Sequence, residues 1–439
     1  MEPPTKKIKT TTERLRCNYI ITKKNRQCGM TRRADSDFCS EHLNLMKKDI
    51  GNEKHNGRID ITNGRIRIPC PLDPNHSVWE DQLKKHLNKC NKFKLSHIND
   101  NNIFYSKDLN SCQHPTNKID YKLYLDKVIE ILQSYQKDDI FDIPLKQEAN
   151  EEMVQSRVNT LTNQKHAIQQ SSLIQNMINH KILNLSTNIE NSQDYIEFGC
   201  GKAEFSRYLN QVIILSQDNI NEIRPITYHL IDRASNRMKF DTKIVSDTQD
   251  LTKQNKFKPN VDRIKIDIKD LKVDTQLNED RSYVALSKHL CGVATDLTLR
   301  CIVNNPLLKK KLDGICIAMC CRHVCSSDDY INPEHIKSIL QKFESDLTYE
   351  QFFTCLTKLC SWATNGRRSD MNGTDIVEIT PTISMTIEER ESIGLMARKI
   401  IDTGRLQWVK QNISEDSHLI RYVDKSISLE NVALLVHST

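Results

Sequence analysis

Two clusters of cysteine and histidine, a glycine-containing turn after a buried strand, and an alternation of strands and helices predict an α/β protein. We expect a Rossmann-like domain with a seven-stranded sheet, preceded by two small zinc-binding modules. The expected boundaries are 14–45 and 65–94 for the modules, 95–150 for a linker with one helix, and 151–439 for the large domain. A chain of 439 residues has room for all of these parts.

Composition predicts the environment of the protein. No apolar run in the sequence is long enough to span a bilayer, and the N-terminus lacks the apolar centre of a signal peptide. Fifteen cysteines in such a protein indicate metal ligands or free thiols rather than disulfides. We therefore expect an intracellular protein, in the cytoplasm, the nucleus or both, with no membrane association.

Positive charge is concentrated in the first 100 residues, which contain 21 Lys and Arg against 12 Asp and Glu. Of the chain's 63 basic and 57 acidic residues, this leaves 42 and 45 for the remainder. A basic module suits a polyanionic partner, because phosphate contacts dominate the affinity of nucleic-acid binding. The stretch Lys6-Lys7-Ile8-Lys9 is either a nuclear-import signal or a solvated tail, and so short a basic run slightly favours the tail.

The first cysteine cluster predicts a zinc finger of the Cys3His type. Its candidate ligands, with ten, ten and two residues between them, are Cys17, Cys28, Cys39 and His42. Zinc takes four such ligands at tetrahedral corners, and the last step presents two ligands from one turn. The segment has too few large apolar residues to fold without a metal. The alternative is a set of scattered free thiols.

The second cluster predicts a zinc finger of the CHHC type. Its candidate ligands, with five, nine and three residues between them, are Cys70, His76, His86 and Cys90. The last two stand four positions apart on a predicted helix, so their side chains point the same way and can share one ion. The alternative, two hydrogen-bonded histidines and two buried thiols, would need an apolar core that the segment lacks.

Residues 91–120 form a polar connector in this interpretation, followed by a helix over 121–135 and another from 151 to about 185. Cys112 and His114 lie in the connector, but two ligands so close together do not make a complete metal site. Lys165-His166 in the second helix either contacts a cofactor or lies on a solvated polar face. The residues alone favour the solvated face.

A nucleotide site is predicted at residues 195–204, which read as a buried strand, a glycine turn and the start of a helix. A dinucleotide fingerprint needs a third glycine, and Ala203 and Glu204 occupy that region. An acid near the strand end and a shorter turn suit S-adenosylmethionine, whose cationic head and ribose hydroxyls favour a nearby carboxylate. The candidate cofactor residues here are Glu197, Gly199, Cys200 and Gly201. The alternative is an ordinary turn between strand and helix.

Further strands follow, and each of the first few ends in polar residues. The second, over 226–231, ends at Asp232, which we expect to bind the cofactor ribose; its distance from the glycines indicates an inserted loop at 216–224. The third, over 263–268, places Asp267 or Asp270 near the adenine amino group. Ligands of parallel sheets gather at such carboxyl ends. The remaining predicted elements are strands over 283–287, 314–319, 419–423 and 432–436, and a helix over 386–409 interrupted at Gly404.

The chain resembles the eukaryotic tRNA 2'-O-methyltransferase family that modifies the fourth nucleotide of the acceptor stem, the tRNA:m4X modification enzymes. The resemblance covers nearly the whole chain. It includes both Cys/His clusters, the second of a type also seen in a splicing-associated protein, and four segments of the large domain: residues 196–203, residues 287–297, Cys320-Cys321 and Ser361-Trp362-Ala363.

The resemblance implies methyl transfer from S-adenosylmethionine to a ribose 2'-hydroxyl of tRNAs for Gly, Pro and His. It also implies that Lys165-His166 belongs to the helix before the cofactor turn. This chain departs from the family's pattern at two places. After the paired cysteines the family usually has His-His-Arg-Cys, whereas this chain has Arg322-His323-Val324-Cys325. Where a cysteine is expected after Trp362-Ala363-Thr364, this chain has Asn365. They put in doubt any essential role of the replaced side chains, but not the fold.

A ribose hydroxyl is a poor nucleophile at neutral pH, so its attack gains from a general base or from a cation near the developing oxyanion. We rank Lys288 first for this role, His289 second and His323 third, with Asp267 or Asp296 orienting the lysine. A lysine desolvated beside a cationic cofactor loses its proton more readily. The alternative is that Lys288 binds a phosphate while His289 packs on the sheet.

A third group of possible metal ligands surrounds the end of the fifth strand: Cys316, Cys320, Cys321, His323 and Cys325. If the strand continues, the adjacent Cys320 and Cys321 point to opposite sides and do not readily share an ion. We therefore expect buried free thiols there, and two structural zinc ions in the whole chain.

Two rival functions remain at this point. The chain could be a zinc-finger RNA-binding protein whose Rossmann-like domain is not catalytic, although Glu197, Gly199, Gly201 and Asp232 keep suitable chemistry. It could also methylate a base or a protein, but no Asn/Asp-Pro-Pro-aromatic motif, typical of amino-group methylation, follows the fourth strand. The expected partner is the tRNA acceptor stem; the sequence reveals no protein partner and is compatible with a monomer.

Overall fold

The computed structural model describes residues 15–21, 26–32, 34–39, 42, 60–62, 65–90, 93, 98–112, 119–138, 142–149, 151–158, 164–185, 193–216, 226–234, 239–253, 258–365 and 372–438. The basic stretch at 6–9, His114 and most of the expected insertion at 216–224 lie outside these ranges. The chain divides into two compact units, residues 1–99 and 100–439. No helix within the described ranges is long and apolar enough to cross a membrane.

The first unit is built from short elements around small cores. An antiparallel pair is followed by a three-stranded antiparallel sheet and one helix. These elements are β1 (Ile20–Ile21), β2 (Arg26–Gln27), β3 (Asp60–Thr62), β4 (Arg65–Cys70), β5 (Asp73–Trp79) and α1 (Leu83–Leu87). The buried residues of the two cores are mainly cysteines, so apolar packing contributes little to their stability.

The second unit alternates helices and strands, as the sequence predicts. Its helices before the sheet are α2 (Leu125–Asp138), α3 (Glu151–Val158) and α4 (Lys165–Asn179). The first half of the sheet comprises β6 (Gln193–Phe198), α5 (Glu204–Leu215), β7 (Thr227–Asp232), α6 (Asp241–Thr252) and β8 (Asn260–Lys265). Next come β9 (Ser282–Cys291), α7 (Val293–Asn304), α8 (Pro306–Lys310) and β10 (Leu312–Cys320).

The remaining elements cover and complete the sheet. They are α9 (Pro333–Lys342), α10 (Tyr349–Cys360), α11 (Trp362–Asn365), β11 (Ile376–Glu378), β12 (Ser384–Thr386), α12 (Ile387–Asn412), β13 (Ser417–Arg421) and β14 (Val432–His437). Helices α10 and α12 both begin with a capping box, in which a threonine and the residue three positions later satisfy each other's free backbone groups.

The main sheet has the seven strands that the sequence predicts, in the order β13-β14-β10-β9-β6-β7-β8. Strands β8, β7, β6, β9 and β10 pair in parallel, and β14 is antiparallel to both of its neighbours. From β6 the chain proceeds outward to β7 and β8, and then returns to place β9 on the other side of β6. In open α/β sheets, ligands bind where the strand order reverses in this way, which here is at the carboxyl ends of β6 and β9.

Apolar residues cover both faces of the sheet. One core joins α4, α5 and α6 to one face, and a second joins α7, α8 and the end of α12 to the other. A third cluster packs α2 against α9, α10 and the first half of α12. Each strand thus presents alternate residues to two different helix layers, which explains the nearly continuous burial of β6, β9 and β10.

Residues from the expected connector pack onto the second unit. The Asn110 side chain donates hydrogen bonds to the carbonyls of Ile268 (2.7 Å) and Leu271 (2.9 Å) and is fully buried. The backbone N–H of Cys112 donates to Asp329 (3.1 Å). The connector is therefore fixed both to the loop after β8 and to the segment between β10 and α9.

Two element boundaries differ from the expectation in ways that affect the site. Strand β9 extends to Cys291 because Leu290 and Cys291 continue the ladder with β10, so Lys288 and His289 lie within the strand and not after it. Helix α12 continues without a break through Gly404. An added Cβ there would overlap Tyr330 Oη, so this glycine serves close packing and does not interrupt the helix.

Candidate functional site

The glycine turn between β6 and α5 leaves room for a ligand. Gly199, Gly201 and Ala203 all have positive φ, at 64°, 52° and 65°. An added Cβ on Gly199 would lie 3.2 Å from Leu290 Cδ1, whereas Gly201 faces open space. Ala203 adopts the left-handed conformation without being a glycine, at a strain of about 1–3 kcal/mol. The turn keeps its tight shape although the third glycine of a dinucleotide fingerprint is absent.

Residues of the next two strands hold this turn in place. Asp232, at the end of β7, accepts hydrogen bonds from the N–H groups of Gly201 and Ala234, both at 2.7 Å. Arg263 in β8 donates to the Gly201 carbonyl and to Cys200 Sγ, both at 3.0 Å. The same guanidinium forms two hydrogen bonds to Asp241, at 2.8 and 2.7 Å.

Sequence reasoning missed Arg263. The available signal was an arginine within a predicted strand, since a charged side chain there must find a partner when it is mostly covered. Its partners come from the turn and from α6, and their positions follow only from the folded chain.

Glu197 lies beneath the turn and is 3% exposed. Its carboxylate accepts hydrogen bonds from the backbone N–H (3.2 Å) and the hydroxyl (2.5 Å) of Ser206 in α5. Burial raises the pKa of Glu197 to about 7. Through these two hydrogen bonds, Glu197 connects β6 to the first turn of α5.

Asp267 follows β8, so it lies at the strand end next to that of Asp232. Its carboxylate caps a single 3₁₀ turn by accepting from the N–H of Lys269 at 3.2 Å, and Arg233 lies 3.6 Å away. Asp270, the other adenine candidate, instead accepts from the N–H of Asp108 at 2.7 Å and so fixes the connector. Of these two acids, Asp267 is therefore the better candidate for the cofactor, because Asp270 binds the connector.

Lys288 is buried in β9, with only 5% of the residue exposed. Its Nζ lies 2.7 Å from Nδ1 of His166 in α4. His166 is exposed, as the interpretation of a solvated polar face expects, but its ring also contacts this buried lysine, so the start of α4 lies beside the carboxyl end of β9. No pattern within the helix indicated this contact, which joins positions 122 residues apart.

The charge states of these groups depend on their surroundings. Burial lowers the pKa of Lys288 to about 8, although Glu204 and Glu197 oppose this effect. Partial loss of hydration and the nearby Lys288 lower the pKa of His166. Loss of hydration, reinforced by Lys288 and His166, lowers the pKa of His289 to about 4. Both imidazoles are therefore neutral at pH 7, and His166 can accept a hydrogen bond from the Lys288 ammonium.

Asp296 does not orient Lys288, contrary to the expectation. Its two carboxylate oxygens accept from Arg405 at 2.5 and 3.1 Å, and one also accepts from the N–H of Ile331 at 3.2 Å. The sequence could not show this pairing, because Arg405 lies 109 residues further along the chain, on α12.

A buried ionic network extends from that pair behind the ends of β9 and β10. Arg405 also donates to the Gly292 carbonyl (3.1 Å), which follows β9 directly. Arg322 forms ion pairs with Asp402 (2.6 Å) and Glu430 (2.5 Å) and is fully buried. Arg322, which departs from the family's pattern, is thus paired with two acidic residues. Sequence reasoning missed both partners.

His323 occupies the single 3₁₀ turn over Arg322–Val324, beyond the end of β10. Among the described residues, no hydrogen bond joins its ring to Lys288 or His289. The third-ranked catalytic candidate therefore stays a prediction that rests on its position at a strand end.

The cysteines at the ends of β9 and β10 are arranged differently from the expectation. The sulfur atoms of Cys291, Cys320 and Cys321 all lie within 4.8 Å of one another. The argument that Cys320 and Cys321 point apart is wrong, because the strand ends at Cys320 and Cys321 turns into the left-handed conformation with φ 51°. A hydrogen bond from the Cys320 thiol, 3.2 Å away, lowers the pKa of Cys291 to about 6.

The other cysteines of that predicted group are separated from this cluster. Cys316 is buried in the core beside α4 and α5, and Cys325 contacts Arg405 at 3.3 Å. Cys112 belongs to none of the potential metal groups formed by the described residues.

The two N-terminal clusters converge as metal sites require. In the first, His42 Nδ1 lies 3.4 Å from Cys17 Sγ and 3.2 Å from Cys39 Sγ, and Cys28 completes the group. The ring of Tyr19 stacks on His42 at 3.9 Å and orients it. Within the cluster, all four ligand atoms lie within 4.8 Å of one another.

In the second cluster, the Nε2 atoms of His76 and His86 are 3.0 Å apart and the sulfurs of Cys70 and Cys90 are 3.9 Å apart. The backbone N–H of Cys90 donates to the His86 carbonyl at 2.7 Å, so the helical turn continues past α1 and places both ligands on one side. Thiolates and imidazoles in sets of four are the ligands of structural zinc sites. Both clusters fit zinc by donor type and by convergence.

Comparison with known families assigns each region. The family described as Methyltransferase TRM13 matches residues 168–437. The family described as CCCH zinc finger in TRM13 protein matches residues 15–43, and the U11-48K-like CHHC zinc finger matches residues 67–91. These matches confirm two zinc-finger domains before a methyltransferase domain.

Several relatives align with this chain over almost the full length of both proteins. A Saccharomyces cerevisiae protein named tRNA:m(4)X modification enzyme TRM13 is 46% identical, covering 99% of this chain and 98% of its own length. A Kluyveromyces lactis protein of the same name is 41% identical over 97% and 96%. The Mus musculus homolog of that enzyme is 29% identical over 95% and 93%. The chain therefore belongs to the TRM13 methyltransferase family.

Proposed function

We propose that this chain is an S-adenosylmethionine-dependent tRNA 2'-O-methyltransferase that modifies the ribose at position 4 of the acceptor stem. The substrates are tRNAs for Gly, Pro and His. Support for tRNA comes from the names of relatives that align over almost the full length of both chains. The ribose and the nucleotide position rest on the resemblance of the sequence motifs, and the chemistry below rests on the site.

The observation that carries the proposal is the contact between Lys288 and His166. A buried lysine with a pKa of about 8 lies at the carboxyl end of β9, next to β6 and its glycine turn. Ribose methylation needs a group that can accept a proton or stabilise an oxyanion near the cofactor site. Lys288 can do either, according to its charge.

The cofactor site fits S-adenosylmethionine, which supplies an electrophilic methyl group on a sulfonium ion when bound. Open space at Gly201 allows the ligand to approach the backbone of the turn. Asp232 and Asp267 present carboxylates at two neighbouring strand ends, and a carboxylate oxygen can accept more than one hydrogen bond. We assign the ribose to Asp232, the adenine to Asp267, and the support of the turn to Glu197 and Cys200.

Lys288 acts as the base in this proposal. With a pKa of about 8, roughly a tenth of the side chain is the neutral amine at pH 7. The amine would take the 2'-hydroxyl proton as the ribose oxygen bonds to the methyl carbon that the cofactor supplies, and the bond from that carbon to sulfur would break to leave the neutral thioether. The resulting ammonium donates a hydrogen bond to neutral His166, so the new positive charge has a partner within the site.

The N-terminal modules provide RNA contacts in this proposal. Two zinc ions hold their folds, one bound by Cys17, Cys28, Cys39 and His42, and the other by Cys70, His76, His86 and Cys90. The excess of Lys and Arg in the first 100 residues then meets the phosphates of the tRNA.

The test is to map the methyl group. A tRNA-Gly transcript is incubated with the protein and methyl-labelled S-adenosylmethionine, and the product is hydrolysed with alkali. A 2'-O-methyl group blocks cleavage of the adjacent phosphodiester, so the label should appear in a dinucleotide containing nucleotide 4. A transcript with 2'-deoxyribose at that nucleotide is the control and should take up no label there. Label in a mononucleotide base would contradict the ribose assignment.

A further inference from the structure

A cluster of three thiols lies at the ends of two neighbouring strands, outside both zinc fingers. It consists of Cys291 at the end of β9, Cys320 at the end of β10, and Cys321 directly after it. Cys320 is buried, Cys321 is half-buried and Cys291 is exposed. The cluster thus extends from the protein interior to the surface at the carboxyl ends of β9 and β10.

The backbone brings these three side chains together. Cys291 and Cys320 are partners in the parallel ladder, and their sulfur atoms are 3.2 Å apart. Cys321 has φ 51° and ψ 47°, a left-handed conformation that is uncommon for residues other than glycine, asparagine and aspartate. This conformation returns the third sulfur to the other two instead of sending it to the opposite face.

The two zinc fingers provide an internal comparison. Among the residues that the structure describes, three groups of metal-ligating side chains have all their ligand atoms within 4.8 Å of one another. Two of them are the four-residue clusters that match zinc-finger families. The three thiols are the third group, and they meet the same geometric condition.

Charge balance around the cluster also favours a cation. The nearest carboxylate, Glu430, accepts from the N–H of Cys321 at 3.1 Å and is already paired with Arg322 and Arg398. In the part of the chain that the structure describes, these two arginines are therefore already paired with a carboxylate and do not offset the thiols if all three ionise. Uncompensated charges near a protein interior are strongly disfavoured, whereas a divalent ion reduces the charge of three thiolates from −3 to −1.

We propose that Cys291, Cys320 and Cys321 bind a zinc ion through their three sulfur atoms. Zinc prefers thiolate ligands and four-coordinate geometry, so the fourth position lies on the exposed side, near Cys291, and takes a water or another small donor. The ion joins the ends of β9 and β10 three residues after Lys288. It is separate from the two zinc-finger ions and from the cofactor site.

Metal content of the full chain tests this proposal. Elemental analysis of the protein, purified without chelator, should give three zinc ions per chain. Cys291→Ser should lower the content to two, and because Cys291 is exposed, this change disturbs packing least. Cys316→Ser is the matched control: it removes a buried thiol of β10 outside the cluster and should leave three ions.

A second measurement reports on the sulfur ligands of the metal directly. Cobalt exchanged into the intact protein should show sulfur-to-cobalt charge-transfer absorption. Cys291→Ser should remove about a third of the total intensity, because the third ion is lost. Cys316→Ser should leave the intensity unchanged. Two zinc ions in the wild-type chain, with Cys291 reacting rapidly with a thiol reagent, would overturn the proposal. A disulfide between Cys291 and Cys320 in freshly purified protein would overturn it as well.

Discussion

Arg405 and Asp296 form an ion pair in which neither side chain is exposed to solvent, with Nη2–Oδ2 at 2.5 Å and Nε–Oδ1 at 3.1 Å. Because Arg405 also binds the Gly292 carbonyl, the pair connects α12 to the turn that follows β9. Helix α12, far along the chain, thus holds the turn that directly follows the strand carrying Lys288.

The first prediction concerns the stability of this connection. Asp296→Asn should lower the free energy of unfolding of the second unit by about 3–5 kcal/mol, because it leaves a buried guanidinium without its full counter-charge. Urea denaturation monitored on that unit measures the change. Glu334→Gln, which removes an exposed pair with Lys337, is the control and should change stability by less than about 1 kcal/mol. Equal effects of the two substitutions would contradict a special role of the buried pair.

The second prediction concerns Lys288. Lys288→Ala should reduce methyl transfer at least about 100-fold, the usual contribution of a general base. Binding of S-adenosylmethionine, measured by calorimetry, should stay within a few-fold of wild type because the turn and Asp232 are intact. Lys288→Arg keeps the positive charge but cannot accept a proton, so high activity in that variant would favour a cationic role. Near-normal transfer by Lys288→Ala would exclude Lys288 from catalysis.

The third prediction is a pH dependence. The pKa of Lys288 is lowered by burial to about 8, so its neutral form gains population as pH rises through that value. Single-turnover methyl transfer should therefore increase about tenfold per pH unit below 8 and level off above it. The profile of Lys288→Arg provides the comparison and should lack this rise. A wild-type rate that is flat from pH 7 to 9 would rule out the lysine as base, since these limits lie about one unit on either side of its pKa.

The fourth prediction concerns the arginine that braces the glycine turn. Arg263→Met removes the contacts to Gly201 and Cys200 and should weaken binding of S-adenosylmethionine by about tenfold, since a hydrogen bond from a charged group contributes about 1.5–3 kcal/mol. Arg207→Met is a matched control, because Arg207 also forms a two-point contact with an aspartate, Asp247, but does not contact the turn through its side chain. Similar losses in both variants would mean that Arg263 acts only through general stability.

The fifth prediction concerns the second zinc finger. His86→Ala removes one of four ligands, so the finger should lose its ion and unfold, and tRNA affinity should fall about tenfold or more. Affinity for S-adenosylmethionine should not change, because the second unit is a separate compact body. Cys112→Ser, outside every described metal group, serves as the comparison. Retained tRNA affinity after zinc loss would assign the finger another role.

The sequence predicted the parts of the protein whose signals are local. Cysteine and histidine spacing indicated both fingers because each ligand set lies within a short segment with little apolar core. The strand ends carrying Glu197, Asp232 and Asp267 were also found, since a buried apolar run followed by an acid is visible in a few residues. The seven-strand count followed from the same alternation.

The parts that were missed depend on contacts between distant segments. His166 is exposed as expected, but its contact with Lys288 was missed because the two residues are on different elements. Asp296 was paired with the wrong group because Arg405 enters from α12. Cys321 was expected to point away from Cys320 on the assumption that the strand continues. The strand instead ends at Cys320, where its pairing with β9 ends, and Cys321 adopts a left-handed backbone. None of these relations has a periodic signal within its own segment.

The position of β14 in the sheet sets a condition on protein synthesis. This strand is inserted between β13 and β10, so β10 has no neighbour on that side until residues near 437 have left the ribosome. The network that supports the turn after β9 likewise needs Asp402, Arg405 and Glu430. The first unit can fold early, but the proposed methyl-transfer site around Lys288 is completed only after nearly the whole chain has been made. During translation, therefore, the nascent chain acquires its fingers well before the strand end that bears Lys288 is fixed.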